Sequence, residues 1–161
     1  MRMSEGVEWA MHSCLNLSWA EPGEAVTARR LAAFYDLPPA YLNKQLQALA
    51  RAGILSSVSG PRGGFRLNRA PEQISLLDIV VAIEGPEDAF RCEQLLRKGP
   101  GGSDDVDYRA HCVISQEMRA AELEWRRALA GRTLADVRAT VETRFPHTPE
   151  ATRDRFVNAP T

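Results

Sequence analysis

Glu8 and His12 stand four residues apart. On a helix that spacing puts a carboxylate and an imidazole on one face, where both can reach a single metal ion. The same spacing suits an ordinary solvated surface pair, so the two residues are a candidate and not yet a site. Cysteines occur at 14, 92 and 112. An odd number at wide spacings fits a reducing compartment better than a disulfide framework and leaves thiols available for metal binding or for a thiol switch. Cys92 and Cys112 flank a polar, glycine-rich stretch, Lys98 to Asp107, with no packing pattern of its own. Cys14 falls on an apolar stripe and reads as a buried residue. His111 adjoins Cys112 and rivals His12, but adjacent residues fit one metal less easily than helical i, i+4 partners, and His147 falls in the tail.

A second group of residues has the chemistry of nucleic-acid contact. Asn43, Lys44, Gln47 and Arg51 share the side of a predicted helix that faces away from its leucines, and such types contact base edges or phosphates from a major groove. Arg62 and Arg66 sit on a glycine-rich hairpin that can reach a neighbouring minor groove or the backbone. Alone, each of these is a solvated polar face. A short helix, a second helix and a glycine-tipped hairpin in succession favour DNA.

The elements that must position these groups follow from periodicity and stop signals. Val7, Ala10, Met11, Cys14, Leu15 and Ser18 recur at helical spacing, predicting a first helix from about Ser4 to Trp19, ended by Glu21-Pro22-Gly23. Thr27 is a good N-cap for a short helix through Tyr35, and we count it with the DNA-contacting set. After the turn Asp36-Leu37-Pro38, a helix beginning at Pro39 carries Tyr41, Leu42, Leu46 and Leu49 and stops at Gly53. Residues 54–58 and 65–67 read as the two strands of a wing. Ser75 and Asp78 form a capping-box pattern before an apolar helix (Leu76, Leu77, Ile79, Val80, Ile83) that should pack on the first one. A short helix is expected from about Ala89 to Arg97, holding Cys92. From Tyr108 to Leu129, Ile114, Met118, Ala121, Trp125 and Leu129 form a stripe suited to a partner helix, so a long dimerisation helix is predicted, ended by Gly131. Thr133 to Asp136 caps a further short helix, and Phe145 to Pro149 opens a tail disordered at its end.

Expected organisation is therefore mainly α: a winged helix-turn-helix unit over residues 1–85 with its wing at about 54–69, a ligand-bearing segment and loop over 86–111, a dimerisation helix and short following helix over 108–142, and a tail over 143–161. With 161 residues, 44% hydrophobic and 25% charged, the chain suits one globular domain and excludes a disordered or collagen-like one. Residues 1–70 carry +3 and residues 71–161 carry −4, so the first part is the one suited to a polyanion. No window is apolar enough to span a membrane and the first residues lack a signal-peptide layout, so a cytoplasmic location is expected.

Leu31-Ala32-Ala33, the run Tyr41-Leu42-Asn43-Lys44-Gln45-Leu46-Gln47-Ala48-Leu49, then Ala52-Gly53-Ile54-Leu55-Ser56-Ser57, the wing Gly60-Pro61-Arg62-Gly63-Gly64-Phe65-Arg66-Leu67 and Ile74-Ser75-Leu76-Leu77-Asp78-Ile79 closely resemble the Rrf2 family of winged-helix repressors. Among its members are iron-sulfur and nitric-oxide sensors of the IscR and NsrR kinds. The resemblance spans about residues 4–140. It implies a homodimer on a roughly palindromic double-stranded DNA operator. Many cluster-binding members have three cysteines before the long helix, whereas this chain has two, Cys92 and Cys112, and lacks the middle one. Together with Glu8-Trp9-x-x-His12, the pair resembles the RsrR-type redox regulators of that family. That resemblance implies a 2Fe-2S cluster held by Glu8 and His12 of one subunit and Cys92 and Cys112 of the other, one cluster per subunit and two per dimer. Imidazole and carboxylate in place of two thiolates should raise the potential, as imidazole does in Rieske centres. Trp9, next to Glu8, is placed to cover such a cluster or move with its charge. The alternatives are a clusterless repressor responding through its thiols or another ligand and, ranked lower, a metalloenzyme, for which no nucleophile-base-oxyanion set or phosphate loop is present.

Overall fold

The computed structural model describes residues 3–61 and 63–158, so Arg62 at the wing tip and the last three residues of the tail lie outside the described residues. The protein is mainly helical, with one two-stranded wing. Helix α1 (Glu5–Leu17) begins where the Ser4 N–H and hydroxyl both donate to Glu84 Oε1, at 2.8 and 2.6 Å. Glu5 and Glu8 in its first turn complement the helix dipole. Helix α2 (Ala28–Ala33) is capped by the Thr27 side chain, which accepts from the Arg30 N–H at 3.2 Å. Helix α3 (Pro39–Arg51) starts on Pro39, whose missing N–H costs nothing in a first turn, and ends before Gly53 at φ +70°.

Strands β1 (Leu55–Val58) and β2 (Gly64–Leu67) pair antiparallel, Leu55 opposite Leu67 and Val58 opposite Gly64. Phe65 also exchanges two backbone hydrogen bonds with Val26, at 2.8 and 2.9 Å, which ties the wing to the α1–α2 connection. Gly64 permits that approach, because a Cβ there would lie 2.5 Å from the Val26 carbonyl. Helix α4 (Leu76–Glu84) has the full capping box, Ser75 with Asp78. The core joins α1, α3, α4 and the wing through Ala10, Cys14, Leu42, Leu46, Leu49, Ile54, Phe65 and Ile79.

Beyond α4 the structure departs from expectation in several places. No helix forms over 89–97. Gln94 takes left-handed backbone (φ +54°) and only one 3-10 turn, Leu95–Lys98, follows. The predicted helix from Tyr108 is broken into α5 (Tyr108–His111) and α6 (Val113–Ala130) at Cys112, whose ψ of 118° is extended. Cys112 serves both ends: its N–H donates to the Tyr108 carbonyl, and its carbonyl accepts from the Gln116 N–H. Helix α7 (Leu134–Arg144) carries the second capping box, Thr133 with Asp136, and anchors Leu134 in the core.

The segment read as a tail is mostly helix α8 (Thr148–Asn158). Its sequence has no apolar stripe. It is held by one fully buried ring, Phe156, packed 5.1 Å from the Phe34 ring beside α2, with the Arg155 guanidinium 5.5 Å above the same ring. Tyr41 is 66% exposed, and the inward stripe of α3 is Leu42, Leu46 and Leu49. Among the described residues, no helix is long and apolar enough to cross a membrane. Phe156→Ala should lower unfolding free energy by about 3–5 kcal/mol in a urea titration, whereas an unpacked tail would leave it unchanged.

Candidate metal centre and nucleic-acid interface

Helix α1 has two working faces. Val7, Ala10, Cys14, Leu15 and Leu17 are buried, and burial pushes the Cys14 thiol up to about 12, which leaves it protonated and inert. Glu8 and His12 are exposed on the other side with Trp9 half-buried beside them. Glu8 makes no hydrogen bond or ion pair among the described residues. His12 Nδ1 lies 3.4 Å from the Tyr35 hydroxyl, and that hydroxyl accepts from Asn16 Nδ2 at 3.1 Å. Both candidate ligands line a groove of about 1080 Å³ along α1, which also borders Tyr41 and Lys44 of α3 and Leu129 of α6.

The other candidate ligands flank the loop that leads into α6. Cys92 and Cys112 are free and half-buried. The loop between them is closed at its base, where the Tyr108 N–H donates to Gln94 Oε1 at 3.2 Å, and the Tyr108 hydroxyl accepts from the Ser103 N–H at 3.0 Å. Its entry is pinned to α6. Glu122 accepts from the Ala89 N–H at 2.9 Å, and Arg126, paired with Glu122, donates to the Pro86 and Glu87 carbonyls. Arg109 pairs with Asp107, the N-cap of α5, and holds its carboxyl below the usual range.

Among the described residues, one chain does not bring three or more such ligands together. It presents two halves: a carboxylate and imidazole on α1, and two thiols at the ends of a closed loop. The donor types suit an iron-sulfur cluster, with thiolates and imidazole as the strong ligands. Helix α6 exposes Val113, Ile114 (69%) and Met118 at its start, whereas Trp125 and Leu129, expected on the partner-facing stripe, are half-buried beside α4 and α1 of the same chain.

On the DNA side, Asn43, Lys44, Gln47 and Arg51 are all exposed along α3. Arg66 is exposed on β2, with its Nε 3.3 Å from Ser56 Oγ. Thr27 is half-buried, and its oxygen is engaged in capping α2. Sequence reasoning missed Tyr41 and Arg29, which are exposed in the first turns of α3 and α2. The signal for Tyr41 was available, since it precedes Leu42 and stands three residues before Lys44 on the polar side. It also missed the seat of α3 on α1, where Gln45 packs over Gly6 so closely that a Cβ at Gly6 would lie 2.9 Å from it.

The family profile Rrf2, described as iron-dependent transcriptional regulator, matches residues 3–140. The chain is 31% identical over 137 residues to a protein of Lactococcus lactis named as HTH-type transcriptional regulator YffB, covering 85% of this chain and 86% of that one. It is 28% identical over 137 residues to the similarly named YwgB of Bacillus subtilis, covering 85% and 84%. Its fold is similar to that of CymR, the global cysteine regulator of B. subtilis, with a TM-score of 0.63 at 19% identity over 87% of this chain and 98% of that one. The fold is also similar to that of IscR from T. potens, with a TM-score of 0.63 at 20% identity over 90% and 91%.

Differences in burial predict an order of thiol reactivity. In metal-free folded protein, iodoacetamide should label Cys92 and Cys112, and Cys14 only after unfolding, as read by peptide mass spectrometry. Native labelling of Cys14 would show that α1 does not pack as described.

Proposed function

The chain belongs to the Rrf2 family of winged helix-turn-helix transcriptional regulators, and from that premise we propose that it acts as a homodimeric, redox-sensing repressor in the cytoplasm. Residues 1–85 form its DNA-binding unit. Helix α3 enters the major groove with Asn43, Lys44, Gln47 and Arg51, and the wing brings Arg62 and Arg66 to the adjacent groove or backbone. The two copies of α3 then sit about 34–36 Å apart on a roughly palindromic operator. The exposed apolar residues at the start of α6, Val113, Ile114 and Met118, support the dimer.

A 2Fe-2S cluster of the RsrR type is the sensor in this reading, one per subunit. When bound, it supplies one-electron redox chemistry. Glu8 and His12 of one subunit hold it against Cys92 and Cys112 of the other. The observation that carries this reading is the double role of α1: Glu8 and His12 are exposed on a helix whose Gly6 seats Gln45 of α3. A change of charge on that face therefore acts on a helix in direct contact with the one that reads DNA, and biases its placement. Trp9, half-buried next to Glu8, is the side chain placed to respond. The free, half-buried state of Cys92 and Cys112 favours one second reading, a clusterless repressor that responds through these thiols.

Protein purified without oxygen should be coloured, with about equal iron and sulfide, and Glu8→Ala, His12→Ala, Cys92→Ala and Cys112→Ala should each bleach or alter its visible spectrum. A colourless protein that binds operator would favour the thiol reading. Oxidised and reduced forms should differ in operator affinity, and equal affinity would refute redox control. Trp9→Ala should keep the cluster and lose that difference. Lys44→Ala should weaken binding to all DNA sequences and lower the salt slope by about 1, whereas Asn43→Ala should cost about 1–3 kcal/mol on the operator alone.

A further inference from the structure

A metal ligand on an exposed helix face needs its ring held, because a free imidazole presents either nitrogen and rotates. His12 has such a holder in a neighbouring element. The Tyr35 hydroxyl is 3.4 Å from His12 Nδ1, and the two rings lie 5.2 Å apart, tilted by 56°. Asn16, one turn after His12 on α1 and only 4% exposed, donates to the same hydroxyl. Tyr35 follows the C-cap of α2, so the contact joins α1 to the first helix of the DNA-binding motif. From the other side, α8 fixes this end of α2: Phe156 and Arg155 pack on Phe34, whose ring is 6.1 Å from that of Tyr35.

We propose that Tyr35 is the positioning residue of His12, binding its Nδ1 and leaving Nε2 as the nitrogen presented to a metal. A phenol oxygen has two acceptor sites and one proton. Asn16 fills one acceptor site, and the second faces His12 Nδ1 at 3.4 Å. In the proposed assignment the His12 Nδ1–H donates there, the phenol proton is left to solvent, and Nε2 is the free nitrogen before any metal arrives. The same contact carries a change at His12 to the end of α2. This deepens the cluster reading, on which it rests for the identity of the metal, while the His12–Tyr35 hydrogen bond belongs to the chain alone.

The test compares wild type with Tyr35→Phe, first without metal. Long-range proton-nitrogen spectra of the metal-free protein, at a pH where the ring is neutral, should show His12 protonated on Nδ1 in wild type and shifted toward the Nε2-protonated form in Tyr35→Phe. In cluster-loaded protein, Tyr35→Phe should retain wild-type iron and sulfide but change the midpoint potential. An unchanged His12 tautomer in Tyr35→Phe, or a wild type protonated on Nε2 with the phenol donating into Nδ1, would overturn the assignment. A wild type that shows the expected tautomer but holds no iron would sink the cluster reading and leave the positioning role of Tyr35 standing.

Discussion

The buried face of α1 is the constraint on which the rest of the molecule depends. Ala10 and Cys14 are fully enclosed in the core that joins α1 to α3 and α4, and the Gln45 side chain of α3 lies against Gly6. Close-packed interiors have low compressibility and transmit strain. A displacement of α1 is therefore felt by the helices packed on its buried face. Glu8 and His12, on its exposed face, have the chemistry to receive a force that displaces it.

The parts of the chain beyond α4 serve this arrangement at a distance. Glu122 and Arg126 of α6 hold the segment leading to Cys92, Gln94 and Tyr108 close the loop, and Cys112 starts α6 itself. The two thiols are thus tied to the helix whose first turns expose Val113, Ile114 and Met118. Helix α8 lies beyond the span matched by the family profile, yet it braces α2 through Phe156.

Where a local pattern decided the structure, the sequence was readable. The Ser75–Asp78 and Thr133–Asp136 capping boxes, Pro39 at a first turn, Gly53 at a helix end and the glycine-tipped hairpin all form as their residue types dictate. Legibility failed where long-range contacts decide. Helix α8 is polar along most of its length, and it is seated by Phe156 against Phe34, the buried Thr152 and the Arg155 guanidinium over the Phe34 ring, contacts that no periodicity reveals. The break at Cys112 was equally hidden, since the apolar stripe begins only at Ile114 and the extended backbone of Cys112 separates the short α5 from α6. Of the candidate site, the i, i+4 pair on α1 was legible from spacing, but Tyr35 comes from a separate helix and was not. Whether the two halves of the ligand set meet depends on a second chain, beyond the reach of any spacing within one.

That meeting is the central claim, and one measurement addresses it directly: the iron content of a purified heterodimer in which one chain carries Glu8→Ala and His12→Ala and the other carries Cys92→Ala and Cys112→Ala. Ligands drawn from two subunits leave one complete set of four in that heterodimer. It should then be coloured and carry half the iron of the wild-type dimer, while both parent homodimers carry none. Ligands drawn from a single chain leave no complete set, and a colourless heterodimer beside a coloured wild type would contradict the shared site.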